Sequence, residues 1–269
     1  MPCPPGTIPA PLVEHLRTLS RPQPSPHPLQ LFEVPQTKLC LRAEAFVSDW
    51  LPVWAANHCF RTYAFAIAIA EYAGWTTGAQ AKNLGFDKEL VFLSCALHEM
   101  GFDLKSGVKS RLSLEIWGAI KAREWILGQG DAFMESEGRC HNDLIEWADE
   151  ACEAIARHTI EFRGFSSRVR VTGALVTLGA GQDLMGLSSA FIHPEDVTTI
   201  CGKWPRAGYC DGLRAHAILE VSNKPACLFE DCVGAFDPGM YSISCFEGLQ
   251  GELTEDSGWQ LRRDLVTFS

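Results

Sequence analysis

The chain has 269 residues, enough to bury a sizeable core as one large domain or two small ones. Its net charge of −10 argues against a dedicated nucleic-acid binder, because neutralising phosphates needs a Lys/Arg surface. Its apolar content is that of an ordinary globular protein.

The first residues, Met1-Pro2-Cys3-Pro4-Pro5, lack the basic and apolar regions of a signal peptide. Residues 1–38 carry many prolines, as in Arg21-Pro22-Gln23-Pro24-Ser25-Pro26-His27-Pro28, and suit an extended arm with a helical turn or two within 10–19. From residue 44 the apolar residues recur at helical spacing, which predicts helices over 44–54, 57–73, 88–100, 112–127, 142–158, 171–184, 194–201 and 209–222. Gly74 and Gly101 serve as stops. In 112–127 the expected core residues are Leu114, Trp117, Ala119 and Ile120, and in 142–158 they are Ile145, Ala148, Cys152 and Ile155. The segment 171–184 is nearly all apolar and should lie centrally. The apolar run from Tyr63 to Ala70 is too short to span a bilayer, so a cytoplasmic protein without membrane contact is expected. The basic stretch 163–170, with three arginines, reads as a solvated loop. Eleven cysteines, an odd number with no CxxC pair, read as free thiols in a reducing compartment. A zinc site from Cys201, Cys210, Cys227 and Cys232 is disfavoured by its spacing. The fold class is all-α: a Pro-rich arm (1–38), a helical domain (39–230) and an irregular C-terminal tail (231–269) packed on it.

Four residues are polar or ionisable within or beside these apolar helices: His58, His98, Glu99 and Asp183. Imidazoles and carboxylates converging from several helices suit a divalent metal. Neighbours such as His98 and Glu99 point about 100° apart on a regular helix. They share one ion only near a helix end, which Gly101 supplies. By spacing alone the four residues form no short motif. Taken alone, a histidine near a helix start such as His58 is more often a capping or hydrogen-bonded core residue than a ligand, and Asp183 reads also as a helix-end residue.

Several segments resemble the fungal cyanamide hydratase family, a branch of the HD-domain metal-dependent superfamily. Asn57-His58-Cys59-Phe60-Arg61-Thr62-Tyr63 looks like its N-H-x-x-R-x-Y, and Leu97-His98-Glu99-Met100-Gly101 like its L-H-D-x-G. Leu114-Glu115-Ile116-Trp117-Gly118-Ala119 is similar to F-E-x-x-G-G, and Ile155-Ala156-Arg157-His158 to I-x-R-H. Asp183-Leu184-Met185-Gly186, His193-Pro194, Pro205-Arg206-Ala207-Gly208-Tyr209 and Lys224-Pro225 follow in the family's order over about 40–230. The resemblance implies an HD helical fold holding one divalent metal, zinc first and iron second, at His58, His98, Glu99 and Asp183. It implies hydration of a small C≡N compound, with Glu99 and His158 as catalytic residues and His158 moving a proton or orienting water. An ordinary helix-end histidine is the equal alternative for His158. Asn57 and Glu115 are then candidates to orient the ligating imidazoles, with Tyr209 and Phe229 in the pocket.

The chain departs from the family near the chemistry. Glu99 replaces Asp, Thr159-Ile160 replaces Gln-Asp, Tyr209 replaces Trp, and Ala226-Cys227-Leu228-Phe229-Glu230 replaces a polar Trp-x-His-Thr-Thr. A larger, more apolar pocket is expected, suited to an organic small molecule such as an intermediate of fungal secondary metabolism. The reaction is then hydration, dehydration or cyclisation. Three alternatives stand beside it: cyanamide hydration to urea, HD-type phosphohydrolysis with Arg61 and Arg157 as the nearest cations, and metal-free binding at a decayed site. A homo-oligomer is compatible with the family resemblance.

Overall fold

A computed structural model describes residues 6–102, 110–135, 139–163, 167–224 and 227–228. Phe229 and the tail 231–269 lie outside these residues. The protein is mostly helical. The elements are β1 (Thr7–Pro9), α1 (Leu12–Thr18), a 3-10 turn (Leu29–Phe32), α2 (Lys38–Trp50), α3 (Val53–Ala73), α4 (Gly78–Leu84) and α5 (Lys88–Leu97). They continue with α6 (Leu114–Leu127), α7 (Gly130–Phe133), α8 (His141–Arg157), β2 (Arg168–Arg170), α9 (Val171–Met185), α10 (Pro194–Lys203) and α11 (Tyr209–Asn223).

The centre is the pair α3 and α9, which share the most extensive helix contact. Both are buried nearly all round, as their apolar composition requires. Their axes come close because Gly179 presents no side chain to the Thr62 carbonyl. Helices α5, α8, α10 and α11 pack around this pair, and α6 packs on α8. Helix α9 ends at Gly186, whose φ of 66° is cheap only for glycine, and this stop fixes the turn just past Asp183.

Helix α2 starts at Lys38, six residues before the apolar period suggested, because Thr37 caps it and Leu39, Cys40, Ala43 and Val47 face inward. On α8 the inward face is Leu144, Ala148, Ala151, Ala154 and Ile155, so Ile145 and Cys152 sit at its margin. On α6 the buried positions include Leu114, Gly118, Ala119, Ala122 and Ile126, while Trp117 and Ile120 are half-buried. Leu114, Ala119, Ala148 and Ile155 are buried as the helical period predicts, while Trp117, Ile120, Ile145 and Cys152 fall at the edge of the buried faces.

The N-terminal segment is tied to the bundle. Strands β1 and β2 pair antiparallel, with Ile8 opposite Val169. Leu12, Leu16 and Phe32 are buried. His27 donates its backbone N–H to Asp196 and pairs with it through Nδ1, both at 2.8 Å. Arg21 donates to the Ala73 carbonyl at the end of α3. No helix among the described residues is long and apolar enough to cross a membrane.

Candidate metal centre

His58 lies in the first half of α3, and His98 and Glu99 lie in the turn that ends α5. That turn is where the sequence placed the relaxation needed for two adjacent ligands. Met100 donates to the Leu97 carbonyl and Phe102 to the Glu99 carbonyl, so the regular helical pattern stops there. Gly101 is required because any β-carbon on it would lie 2.2 Å from the Leu114 carbonyl oxygen. Gly118 in turn packs its bare backbone on Gly101 and the His98 carbonyl. The start of α6, with Glu115, is thereby pressed against the turn that carries His98 and Glu99.

Three buried atoms converge. His58 Nε2 and His98 Nε2 are 3.2 Å apart, His98 Nε2 and Glu99 Oε1 are 3.3 Å apart, and His58 Nε2 and Glu99 Oε1 are 3.6 Å apart. They form a group that could hold a metal ion. The far nitrogen of each ring is already committed. His98 Nδ1 donates to the Cys95 carbonyl at 2.7 Å, which only a protonated nitrogen can do. His58 Nδ1 meets Asp183 Oδ2 at 2.6 Å. In the neutral rings, both Nε2 atoms therefore present lone pairs to each other and to a carboxylate. Only a proton or a metal cation among them turns that repulsion into attraction. A point equidistant from the three atoms lies about 2 Å from each, the usual length of a Zn–N or Zn–O bond. The donor set and its spacing fit a divalent ion such as zinc.

The electrostatics agree. Burial pushes the Glu99 carboxyl upward, but the charges and hydrogen bonds of His98 and His58 outweigh it and hold the group well below the ordinary carboxylate range. A seated cation would exert the same pull. Glu99 Oε2 is buried without a hydrogen-bond partner.

Asp183 does not join the converging group. Its Oδ1 accepts from Arg61 Nε at 2.7 Å and Arg206 Nη1 at 2.5 Å. Its Oδ2 accepts from Arg61 Nη2 at 2.8 Å and faces His58 Nδ1. Arg61 is fully buried and donates its remaining amino group to the carbonyls of Trp204 and Pro205. Burial works against the Asp183 charge, but the two guanidiniums win and hold it far below its ordinary value. The partnership was inferable: an arginine inside the apolar helix α3 demands a buried carboxylate.

The other expected residues scatter around the group. His158 ends α8 with its ring edge-to-face on His98, centroids 5.2 Å apart. Its Nδ1 donates to the Ile155 carbonyl, repeating the His98 arrangement. Burial, then the neighbouring His98, lowers it to about 4, so its imidazole is neutral at pH 7. The Tyr209 ring packs tilted against His58, centroids 5.0 Å apart, and burial keeps its phenol protonated. Glu115 touches neither ligating imidazole. Its Oε1 accepts from Thr159 at 2.8 Å, its Oε2 is buried without a partner, and burial raises it to about 7. Asn57 ties α3 to the Pro205 carbonyl and orients no imidazole. Glu161 is held by Arg157.

Sequence reasoning missed Trp54 and Phe102. Their rings meet edge-to-face at 5.7 Å, and Trp54 also approaches Tyr209 at 6.2 Å. Trp54 lies flat on Gly212, where any side chain would collide with the indole. Neither residue stands in a recognisable motif, although Trp54 lies one turn before His58 on α3 and Phe102 three residues past Glu99.

The chain is distantly similar to two yeast proteins. They are cyanamide hydratase DDI2 and cyanamide hydratase DDI3 of Saccharomyces cerevisiae. Each is 22% identical over 203 residues, which cover 75% of this chain and 80% of the relative. No family model matches the chain. The similarity supports a cyanamide-hydratase-like relationship and suggests an enzyme of the hydratase kind.

Proposed function

We propose that this protein is a metal-dependent hydratase or related lyase acting on a small organic molecule, with the ion held by His58, His98 and Glu99. The observation that carries the reading is the convergence of His58 Nε2, His98 Nε2 and Glu99 Oε1 with both Nδ1 atoms already committed. When bound, a divalent ion supplies Lewis acidity and a water whose pKa falls toward neutrality.

The chain's own residues then divide the proton work. His158 is neutral at pH 7, so its Nε2 can accept a proton from an attacking water. We assign to the Tyr209 phenol, which stays protonated beside His58, the role of donating toward charge that develops on the substrate heteroatom. In hydration of a nitrile, the water oxygen bonds to carbon as one C–N π bond breaks toward nitrogen, one water proton leaves to the base, and the nitrogen gains a proton from the acid. Trp54, Phe102 and Tyr209 give the His58 side of the site an aromatic wall, which favours a substrate with an apolar body. Phosphoryl transfer is less well served, because Arg61 is locked on Asp183 and Arg157 on Glu153 and Glu161.

A second reading, cyanamide hydration to urea, is favoured by the names of the two relatives. Elemental analysis of purified protein and a urea assay with cyanamide separate the readings. Metal with urea release supports the second, and metal without it supports a changed substrate. A metal-free, chelator-indifferent protein sinks both. If Glu99→Asp changes neither metal content nor cyanamide turnover, the role given to residue 99 is wrong.

A further inference from the structure

We propose that Asp183 is a positioning residue for His58 and not a metal ligand, with Arg61 and Arg206 as the clamp that keeps it there. The inference rests on the metal reading above. A carboxylate has about four lone-pair sites in its plane. All four of Asp183 are used: Oδ1 by Arg61 Nε and Arg206 Nη1, Oδ2 by Arg61 Nη2 and His58 Nδ1. None remains for an ion. The position agrees, because Asp183 sits at the Nδ1 side of the ring whose Nε2 faces His98 and Glu99.

The clamp is anchored at three places. Arg61 donates to the Trp204 and Pro205 carbonyls, Asn57 donates to the Pro205 carbonyl, and Arg206 also donates to the Asp183 carbonyl. The α10–α11 loop is thus locked to α3 and α9 through the group that orients His58. The three histidines around the site differ in this respect. His98 and His158 each rest Nδ1 on a neutral backbone carbonyl, while His58 rests on a charged carboxylate. A carboxylate behind an imidazole fixes its tautomer and makes its other nitrogen the stronger donor. His58 is therefore the ligand that sets how tightly the ion is held, leaving a centre with three protein ligands and room for substrate or water.

The test uses full-length protein, ¹⁵N-labelled at histidine, stripped of metal and then titrated with zinc chloride. The His58 ring should carry its proton on Nδ1 before zinc. It should keep that proton after loading, with only Nε2 shifting. Asp183→Asn keeps a carbonyl acceptor without the charge. It should preserve the tautomer and weaken zinc by roughly 10–100-fold in competition with a chelating dye. An upfield shift of the His58 Nδ1–H proton resonance when the unmodified protein is loaded, which marks loss of its short hydrogen bond, would mean that the carboxylate has left the ring for the metal, and the assignment falls. So it does if Asp183→Asn binds zinc within about twofold of the parent, against the 10–100-fold usual for such partners. A protein that takes up no zinc removes the metal reading alone. The metal-free ring still decides this proposal, since a proton found on Nε2 overturns it and one on Nδ1 supports it.

Discussion

Gly179→Ala probes the link between the core and the site. The added methyl would lie 2.2 Å from the Thr62 carbonyl oxygen and 3.2 Å from the Ala66 β-carbon. The first contact is more than ~1 Å inside ordinary packing distance. Backbone cannot swing aside as a side chain does, so α3 and α9 must part by about that amount, at the ~1–3 kcal/mol typical of overpacked cores. For a chain of this size the loss corresponds to roughly 2–12 °C in Tm. The site should feel the same displacement. Thr62 is one turn along α3 from His58, and Gly179 one turn along α9 from Asp183. The 2.6 Å contact between His58 and Asp183 has no slack for a shift of ~1 Å, which would take it beyond hydrogen-bonding range. Thermal unfolding followed by circular dichroism, together with zinc titration, measures both effects. A variant that melts within about 1 °C of the parent, against the several degrees expected from overpacking, refutes the close-approach argument. One that melts lower yet binds zinc as well as the parent refutes the coupling of α3–α9 packing to the site.

Further outcomes concern protons and metal. Burial raises Glu115 from 4.5 to about 7. The folded state therefore binds more protons than the unfolded between those values, and this group's contribution to stability is lost as pH rises through that window. Glu115→Gln keeps an acceptor for Thr159, so it should melt above the parent at pH 8 and alongside it at pH 4; equal melting at pH 8 contradicts the assignment. His158 is lowered by burial from 6.5 to about 4. The unfolded chain binds more protons between those values, so the stability held in the neutral imidazole is complete above pH 6.5 and is lost as pH falls through about 4. His158→Gln should flatten the fall of Tm over that range, and an unchanged slope counts against a buried neutral imidazole. Stripping metal with a chelator should lower Tm and zinc should restore it, by about 2.7 kcal/mol at a free concentration 100 times Kd. A Tm indifferent to both treatments removes the metal from the folded state.

Much of the helical frame was legible because long apolar periods and glycine stops write it locally. Helix α3 ends at Gly74 and α9 runs over nearly the segment its composition marked. Helix α4 left no trace, since none of its residues is buried and it has no apolar period to detect. The β1–β2 ribbon was equally silent, because it pairs Thr7–Pro9 with Arg168–Arg170, segments far apart in the sequence. At the site, His58, His98 and Glu99 could be named as polar residues in apolar surroundings, and the structure brings them together. The place of Asp183 could not be read the same way. It depends on Arg206, delivered by a loop, and on which ring nitrogen of His58 the carboxylate meets. Spacing along a chain carries neither piece of information.

The contact between His58 and Asp183 joins residues 125 positions apart. During synthesis at ~5–20 residues per second, roughly 6–25 s separate the appearance of the two. His58, His98 and Glu99 are all made while the partner that steadies His58 is still to come. Buried Arg61 spends the same interval without its carboxylate. On the metal reading proposed above, a newly made N-terminal half would compete poorly for the ion, and its capture would wait until α9 and the loop that follows α10 have left the ribosome.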